Sequence, residues 1–438
     1  MSEVEAMAAR NIDPTAPVPF SLLPDSSEVD EKGELTIGGC NIAEIAAEYG
    51  TPVFVYDEQH LRSRCREAVA SFGSEVAYAG KAFLCIAMAK LVSEEGMCLD
   101  VASAGELYTA IRAGVPGERI VFHGNNKSLK ELQMAREYGV GRIVVDSADE
   151  IDRLENLHRE DGRVVRVLLR VTPGVRAETH EFISTGQEDS KFGFGINSGA
   201  ATAAVSRANS SNAIDLVGIH SHIGSQVFRI ESFDKALVVV SDFFKELDLP
   251  ELSIGGGLGV AYVEDDSAAS ISEWGAQTKD TCARLGITDA RILAEPGRSI
   301  AAQAAITVYT IGTLKSLPGI RNYAAVDGGF VDNIRPVLYG SEYTSFAPQR
   351  VLEPRPDRAR IVGSHCESGD IIIRDASLPQ GLNVGDLIAT PVTGAYGHGM
   401  GSNYNRMGRP PVVFVSNGEA RLVVRGEMLD DLLRLDIE

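Results

Sequence analysis

The stretch RIVVDSADEIDRLENLHREDGRVVRVLLRV, residues 142–171, contains the pattern that decides the fold. It begins and ends with β-branched runs, 142–146 and 164–171, which are typical of buried strands. Between them, Ser147 and Glu150 have the spacing of a capping box, in which two side chains satisfy N–H groups at the start of a helix. A strand, a capped helix and a second strand indicate a βα unit of a parallel sheet.

The same pattern recurs on both sides of this stretch. Ser128 and Glu131 form a second predicted capping box. In chain order, the predicted strands are 76–79, 98–102, 119–123, 142–146, 164–171, 216–222, 251–254 and 291–295. Eight strand–helix units in about 240 residues match a (β/α)8 barrel, which typically takes ~250 residues; an open doubly wound sheet is the alternative. We therefore predict an α/β fold with a (β/α)8 TIM-type barrel over residues 57–304.

Beyond residue 305 the chain changes to strands without intervening helices. The predicted strands are 361–363, 370–374, 387–392, 412–415 and 421–425. Asn417-Gly418 is the predicted turn of a hairpin, and 427–435 is a short predicted helix. We predict a C-terminal β domain over residues 305–438 and a separate N-terminal segment over residues 1–56, which contains a predicted strand at 35–37 and an apolar run at 52–56.

The composition excludes several classes of protein. Of the 438 residues, 44% are hydrophobic and 23% are charged, which is the balance of a globular protein. The 61 acidic and 41 basic residues give a net charge of −20, so we expect no nucleic-acid or membrane partner. No apolar run reaches the ~20 residues of a membrane span, and no secretory signal is visible. The six cysteines form no Cys-x-x-Cys pair, which predicts reduced thiols and a cytoplasmic location.

Unusual residues cluster at the predicted carboxyl ends of the strands, which in a barrel meet at one mouth. Lys81 follows the first strand, and His222 ends the sixth, ahead of Ser225. Gly255-Gly256-Gly257-Leu258-Gly259 follows the seventh strand, and Glu295-Pro296-Gly297-Arg298 ends the eighth. Each feature alone has an ordinary explanation: a rim lysine, a tight turn or a surface ion pair. Their coincidence at four strand ends favours a shared site.

Together these groups have the chemistry that pyridoxal phosphate requires. A glycine-rich turn after the seventh strand exposes N–H groups to a phosphate. A lysine among apolar neighbours such as Phe83 can lose its proton and form a Schiff base with an aldehyde. A carboxylate such as Glu295, placed opposite the ring nitrogen, keeps that nitrogen protonated, so the ring acts as an electron sink. The sequence therefore predicts a pyridoxal-phosphate enzyme.

Later motifs make the signal more specific. They are Val326-Asp327-Gly328-Gly329, Asp332-Asn333-Ile334-Arg335-Pro336-Val337-Leu338-Tyr339, His365-Cys366-Glu367-Ser368-Gly369-Asp370, Gly394-Ala395-Tyr396 and Ser402-Asn403-Tyr404-Asn405. From about Thr51 to its end, the chain resembles the fold-type III pyridoxal-phosphate decarboxylases, most closely the diaminopimelate decarboxylase family. The resemblance implies decarboxylation of meso-2,6-diaminopimelate to L-lysine and CO2, the last step of lysine biosynthesis. It also implies a homodimer with shared active sites and a β domain that takes in the N-terminal segment.

The resemblance further implies a role for each matching residue. Lys81 would hold the cofactor as an internal aldimine, His222 would stack on its ring, and Glu295 would pair with the ring nitrogen. The other groups around the cofactor would be Ser225, Gly255, Gly256, Gly257, Pro296, Gly297, Arg298 and Tyr396. The substrate would be bound by Arg298, Arg335, Tyr339, Glu367 and Tyr396. Catalysis would rest on Lys81, His222, Glu295 and Cys366, with Cys366 and Glu367 supplied by the partner subunit, and no metal is expected.

Three alternatives concern the activity of the protein. His220 and His222 resemble the paired ligands of metal-dependent amidohydrolases, but those enzymes carry the pair on the first strand, not the sixth. A racemase would place an arginine, rather than Glu295, at the ring nitrogen. A catalytically silent homologue that only binds the cofactor would tend to lose Lys81, Glu295 and Cys366, all of which are present.

A further alternative is a decarboxylase of another basic amino acid, of the ornithine or arginine type. Such an enzyme needs carboxylates around a distal ammonium. Here Arg298 and Arg335 suit a distal carboxylate, and Glu367 suits a neighbouring ammonium, which favours diaminopimelate.

Two features depart from the expected pattern. Gly80 precedes the lysine where a bulkier residue is common, and Gly397-His398-Gly399-Met400-Gly401 is unusually rich in glycine. No role follows from the sequence for the polar segment His123-Gly124-Asn125-Asn126-Lys127.

Overall fold

The computed structural model describes residues 16–174 and 189–437, which form two compact units. The barrel unit consists of Arg62–Val260 and Ala268–Ile300. The β unit consists of the described residues up to Leu61, the short segment Ala261–Ser267 and the described residues from Ala301 onward. The β unit is therefore assembled from three separate parts of the chain.

The regular elements of the described residues follow in chain order. The strands are β1 (Glu28–Val29), β2 (Leu35–Ile37), β3 (Cys40–Asn41), β4 (Val53–Asp57), β5 (Ala77–Ala79), β6 (Cys98–Val101), β7 (Ile120–Phe122), β8 (Arg142–Val145), β9 (Val165–Thr172), β10 (Phe194–Gly195), β11 (Ile214–Ser221), β12 (Glu251–Ser253), β13 (Arg291–Leu293), β14 (Ala305–Leu317), β15 (Arg321–Val326), β16 (Asp357–Val362), β17 (Ile371–Leu378), β18 (Leu387–Pro391), β19 (Val412–Ser416) and β20 (Glu419–Val424). The helices are α1 (Ile42–Tyr49), α2 (Glu58–Phe72), α3 (Ile86–Glu94), α4 (Ala104–Ala113), α5 (Leu129–Tyr138), α6 (Ala148–Asp161), α7 (Ala200–Ser210), α8 (Glu231–Lys245), α9 (Ile271–Arg284), α10 (Arg298–Ala301), α11 (Arg335–Tyr339) and α12 (Leu429–Leu433). Within the described ranges, no helix has the length and apolar character needed to cross a membrane.

The barrel unit contains a parallel sheet with the strand order β13-β12-β11-β9-β8-β7-β6-β5. The two end strands are also joined, because Ala77 N–H donates to Ala294 C=O at 3.0 Å and Ala79 N–H donates to Pro296 C=O at 3.1 Å. The sheet therefore closes on itself, with helices between successive strands. This confirms the predicted (β/α)8 barrel and rules out the open doubly wound sheet.

Side chains alternate between the inside and the outside of the barrel along each strand. Contacts between distant strands identify the interior: Arg142 of β8 donates to Glu251 of β12 at 2.6 and 2.7 Å, although β9 and β11 lie between them. Arg142 also donates to Glu75 at 2.6 Å. An apolar cluster follows along the strands, formed by Ala77, Cys98, Val121, Val144, Leu168, Val217 and Leu293. Inward residues beyond this cluster face the carboxyl-terminal mouth.

The β unit is built around a mostly antiparallel sheet with the order β17-β16-β15-β14-β4-β19-β20, and β18 pairs with β14. The N-terminal strand β4 lies between β14 and β19, so the predicted β domain does take in the N-terminal segment. Asn417 and Gly418 both have positive φ, 53° and 80°, as the predicted two-residue hairpin turn requires. The sequence reading missed β14, a 13-residue strand, and β15, which follows it.

Of the two predicted capping boxes, one is confirmed. Ser128 and Glu131 form the complete capping box that was predicted. Ser147 does accept from Glu150 N–H at 3.3 Å, but the Glu150 carboxylate instead binds Lys127 and the N–H of Asp146, so the predicted reciprocal box is wrong there. The carboxylate turns inward because it neutralises a buried ammonium.

Replacing Glu251 by glutamine should destabilise the barrel unit by roughly 3 kcal/mol, because the guanidinium of Arg142 would stay buried after losing a charged partner. Chemical unfolding followed by circular dichroism measures the change. The matched control is Asp280→Asn, which breaks an exposed pair with Arg284 and should change stability by about 0.5 kcal/mol or less. Equal, small effects from both variants would contradict the structural role of the interior pair.

Candidate active site

The barrel mouth is lined by polar residues two or three positions beyond the apolar cluster. They are Asp100, His123, Asp146, Arg170, His220, Ser253 and Glu295, and all are buried. Parallel strands point their carboxyl ends the same way, so these residues meet in one place. Lys81, His222 and the glycine-rich turn follow on from the same strand ends.

The carboxylate of Glu295 contacts three polar side chains of this mouth. Its Oε1 accepts from Ser253 Oγ at 2.8 Å, and its Oε2 lies 3.1 Å from His220 Nε2. The Nε2 of His123 lies 3.5 Å from Oε1. Burial alone would raise the pKa of Glu295, but His220 and His123 hold that pKa well below its usual range. The site therefore keeps an ionised carboxylate away from water, which is what a cationic ring nitrogen needs opposite it.

His222 follows the last residue of β11 and is held by the glycine-rich turn. Its Nδ1 accepts from Gly256 N–H at 3.2 Å, so the ring proton of a neutral imidazole sits on Nε2. Burial, and then the cation of Lys81, lower the pKa of His222 well below its usual value. A neutral, fixed imidazole can lie flat against an aromatic ring without adding charge to it.

Lys81 lies in the single helical turn Gly80–Ala82 directly after β5. The turn is fixed by Tyr78, whose hydroxyl donates to Phe83 C=O at 2.8 Å. Gly80 is required by close packing, since a Cβ there would lie 2.9 Å from Asp100 C=O. The sequence argument that apolar neighbours enclose Lys81 is wrong: Phe83 is buried, but the Lys81 side chain is exposed. Residues adjacent in the turn point to different sides of it, so the amine reaches the open mouth.

The backbone of the glycine-rich turn lies so close to neighbouring carbonyl groups that there is no room for a Cβ atom. A Cβ on Gly256 would lie 2.1 Å from Glu295 C=O, and one on Gly257, where φ is 117°, would lie 2.0 Å from Gly224 C=O. Beside the turn, Arg298 Nη2 donates to Ser225 Oγ at 2.9 Å. Backbone N–H groups without side chains, together with a guanidinium and a hydroxyl, are donors suited to a phosphate. The barrel unit therefore fits pyridoxal phosphate: an amine, a flat imidazole, an ionised carboxylate and a phosphate cradle.

The predicted substrate residues belong to the β unit, apart from Arg298. Arg335 is buried at the start of α11, and its guanidinium lies 4.2 Å from the ring centre of Tyr262 and is hydrogen bonded to the hydroxyl of Tyr343. Within the described residues, no carboxylate lies within ion-pair distance of Arg335. Tyr339 ends the same helix and is half-buried. A buried cation whose contacts among the described residues are one tyrosine hydroxyl and aromatic faces is suited to receive an external anion.

Cys366 and Glu367 lie on a loop that one carboxylate holds in place. Asp370 accepts from the backbone N–H of His365 at 2.9 Å and from that of Phe330 at 2.7 Å, and its Oδ2 lies 2.8 Å from the His365 ring nitrogen Nδ1. Cys366 and Glu367 themselves are exposed on the β unit. The loop thus presents a thiol and a carboxylate to whatever contacts this face.

Two further aromatic residues bear on this part of the β unit. The Tyr404 hydroxyl donates to Glu367 Oε1 at 2.6 Å, which orients the exposed carboxylate. Tyr396 has φ of 60°, a conformation that non-glycine residues rarely adopt and that is concentrated at functional sites. Gly394, two residues earlier, lies so close to Ala301 C=O that a Cβ would be 1.9 Å from it, so the position requires a glycine.

Sequence reasoning missed Asp100, His123, Asp146 and Arg170. Arg170 and Asp146 form an ion pair at 3.5 Å, and Asp146 also accepts from Gly193 N–H at 2.6 Å. The signal was available: each residue lies an even number of positions after an apolar, inward residue of its strand. Charged residues on the inner side of a barrel strand, near its carboxyl end, are candidates for the site.

The metal-ligand alternative is not supported at His222, whose Nδ1 already accepts from Gly256. Ligand atoms of His123, His220 and Glu295 do lie within 4.8 Å of one another. The contacts of Glu295 with the two imidazoles are those of a hydrogen-bonded and ion-paired network, so we interpret the three groups as part of the cofactor site.

Comparison with known proteins agrees with this geometry. The family model described as pyridoxal-dependent decarboxylase, pyridoxal binding domain, matches residues 58–302. The chain is 48% identical over 434 residues to the diaminopimelate decarboxylase of Mycobacterium tuberculosis and 46% identical over 430 residues to that of Bacillus subtilis, in each case covering 94% of this chain and 97% of the relative. The structure of diaminopimelate decarboxylase from M. jannaschii in complex with L-lysine is similar, with a TM-score of 0.87 and 30% identity over 95% of this chain and 98% of that one.

Gly257→Ala should lose measurable binding of pyridoxal phosphate, because the new methyl group would collide with Gly224 C=O and the positive φ disfavours a side chain. Absorbance titration of the cofactor-free protein measures the affinity. Gly105→Ala on α4 is the control, since its Cβ would meet nothing closer than 3.8 Å. Normal binding by Gly257→Ala would show that this turn is not the phosphate cradle.

Proposed function

The chain belongs to the diaminopimelate decarboxylase family of pyridoxal-dependent decarboxylases, and on this premise we propose that it converts meso-2,6-diaminopimelate to L-lysine and CO2. Family membership confirms the resemblance, the decarboxylase class and the pyridoxal phosphate cofactor predicted from the sequence. The observation that carries the substrate is Arg335, a buried cation with no carboxylate partner among the described residues.

The barrel unit would hold the cofactor, which when bound supplies an electron sink for the charge left by loss of CO2. The amine of Lys81 would bind the cofactor carbonyl, and the neutral ring of His222 would pack against the face of the pyridine ring. Gly255, Gly256, Gly257, Ser225 and Arg298 would hold the phosphate, beside the Pro296-Gly297 turn. The imidazole of His222, the glycine-rich turn and the Arg298–Ser225 pair are held in position by hydrogen bonds or close packing.

Glu295 would hold a proton on the ring nitrogen. Its carboxylate is buried, ionised and oriented by donors on both oxygens, so it can accept a hydrogen bond from that nitrogen without moving. A protonated ring withdraws electrons strongly, which favours loss of CO2. A racemase instead requires a ring nitrogen that carries no proton. The presence of Lys81, Glu295 and Cys366 together argues against a silent homologue.

The distal end of the substrate would be recognised by the β unit. Its second amino-acid centre carries a carboxylate, which would pair with Arg335 and Arg298, and an ammonium, which would pair with Glu367. Tyr339 and Tyr396 would complete the contacts. A substrate of the ornithine type has only the distal ammonium and would leave Arg335 without an anion.

Cys366 would supply the proton that replaces CO2 at the reacting carbon. Its thiol is exposed on the loop that Asp370 fixes, beside Glu367, so one loop would carry both an acid and a specificity residue. A thiol is a weak donor that can give up its proton when a carbanion forms next to it.

The complete site is proposed to need two chains, as a homodimer in which each subunit contributes Cys366 and Glu367 to its partner. Both side chains are exposed on the β unit of a single chain. Residues that become buried only when two subunits associate are exposed in this way. Closure by a second subunit would exclude water from the reacting groups. A cytoplasmic location is part of the same proposal and is supported by the six free thiols of the described residues.

Arg335→Ala should raise the KM for diaminopimelate about thirty- to hundredfold and leave cofactor affinity unchanged, because a charge-assisted contact of roughly 2–3 kcal/mol is lost. Steady-state CO2 release and a separate pyridoxal phosphate titration measure the two quantities. Arg374→Ala, on an exposed part of β17, is the control and should change neither. An unchanged KM for Arg335→Ala would assign the arginine a structural role only.

Mixing two inactive variants, Lys81→Ala and Glu367→Ala, should restore activity if sites are shared. About half of the randomly mixed dimers contain both variants, and each regains one intact site out of two, so recovery reaches up to about a quarter of the parent activity. The measurement is CO2 release after the subunits are dissociated and reassociated at several ratios. If the loop instead serves the barrel of its own chain, no ratio restores activity and the shared site is wrong.

A further inference from the structure

His123 lies between two carboxylates of the barrel mouth. It directly follows β7, and its Nε2 is 3.5 Å from Glu295 Oε1 and 3.7 Å from Asp100 Oδ1. All three residues are buried, and they come from three different strands. An imidazole at this distance from both groups acts as their common counter-charge.

The remaining contacts of Glu295 are taken up by neutral donors. Ser253 Oγ donates to it at 2.8 Å, and His220 Nε2 lies 3.1 Å away. The rings of His123 and His220 meet edge to face at 4.9 Å between their centres. His220 is neutral, because burial lowers its pKa to about 4. Among the described residues that touch Glu295, His123 is thus the one placed to carry a positive charge.

Other charges face this cluster but are engaged elsewhere. Arg170 pairs with Asp146 at 3.5 Å and lies 4.2 Å from the ring centre of Phe192. Lys81, on the first strand end, is the amine that would bind the cofactor. Burial lowers the pKa of His123, but Asp100 and Glu295 outweigh burial and raise it. Burial raises the pKa of Asp100, and the nearby charge of His123 opposes that rise.

A charge count explains why the cluster has this composition. Asp100 and His123 neutralise each other, whereas Glu295 keeps one negative charge in the absence of a further cation. A protonated pyridine nitrogen supplies that cation. Without His123, two carboxylates would share one buried cavity, and one of them would take up a proton.

We propose that His123 is a positioning residue for the cofactor's ring nitrogen: it neutralises Asp100 and thereby reserves the charge of Glu295 for that nitrogen. His123 acts through Glu295 and does not touch the reacting carbon. The inference rests on the proposed function only for the identity of the cofactor, so it can be tested without substrate.

The experiment compares His123→Gln with the double variant Asp100→Asn/His123→Gln. Glutamine keeps a polar amide at the position but has no charge, so His123→Gln should weaken pyridoxal phosphate binding roughly tenfold, equivalent to about one pKa unit of charge interaction. Removing the charge of Asp100 as well should recover most of this loss, because the second carboxylate no longer competes for the proton. Absorbance titration of each cofactor-free protein measures the affinity, and circular dichroism confirms that it is folded.

The pH dependence of the bound cofactor's absorbance provides a second readout. Loss of the imidazolium raises the pKa of Glu295, so Glu295 becomes protonated at a higher pH as the solution is acidified. The acid-side transition of His123→Gln should therefore move to higher pH, and that of the double variant should move back. Asn126→Ala, an exposed polar residue of the same loop, is the control and should match the parent protein in both measurements.

Three outcomes would overturn the proposal. The first is an unchanged affinity and pH transition in His123→Gln. The second is a double variant that binds no better than the single one, which would assign His123 a purely structural role. The third is a parent protein whose affinity falls after treatment with a chelator, which would assign His123, His220 and Glu295 to a metal ion. If His123→Gln does not fold, His123→Asn with and without Asp100→Asn makes the same comparison.

Discussion

Two backbone hydrogen bonds between the first and last strands hold the barrel closed, and the site depends on them. Ala77 and Ala79 donate to Ala294 and Pro296, the residues on either side of Glu295. Closure thus fixes Glu295 beside the strand that leads into Lys81. Gly297 is part of the same constraint, because a Cβ there would lie 2.9 Å from Ala79 Cβ. The backbone on both sides of Glu295 and the strand that leads into Lys81 are therefore positioned by main-chain hydrogen bonds.

Inside the barrel, the buried basic residues are paired with acidic residues. Arg142 lies between Glu75 and Glu251 on one side of the apolar cluster, and Arg170 pairs with Asp146 on the other. Lys127 donates to Glu150 at 2.7 Å and to the carbonyls of Gly124 and Val144, which anchors the loop after His123. Buried ion pairs contribute little net stability, but they fix orientation, and an electron sink works only with preorganised partners.

Much of the fold and part of the site could be predicted, because their signals are local. β-branched runs, the capping box at Ser128 and the glycine-rich turn each depend on a few neighbouring residues. Asp100 and His123 lie two positions after the apolar residues Cys98 and Val121, but that spacing indicates an inward direction only once those residues are known to face the barrel interior. The exposure of Lys81 was missed for a similar reason: the side chains of consecutive residues in a turn point different ways.

Segment Ala261–Ser267 falls inside the range predicted for the barrel, residues 57–304, because no sequence signal sets it apart. It belongs to the β unit, where Glu264 pairs with the buried Arg355 at 2.9 Å and Tyr262 packs on Arg335. These contacts join residues more than seventy positions apart in the chain. Tyr262 supplies a face for a guanidinium that has no carboxylate among the described residues, and it does so from a segment with no helix or strand pattern of its own.

Arg335 differs from the charged residues of the barrel mouth in how its buried charge is compensated. In the barrel unit the charged residues of the mouth have partners, so the cofactor enters a site that is complete but for one cation. In the β unit Arg335 is buried with no carboxylate within ion-pair distance among the described residues, and it contacts the Tyr343 hydroxyl and the Tyr262 ring. Under the proposed reaction this arrangement is selective. L-lysine entering as a substrate would present only an ammonium at its distal end, so it would lack the contact of roughly 2–3 kcal/mol that Arg335 offers a carboxylate. The buried guanidinium would thus disfavour decarboxylation of the enzyme's own product.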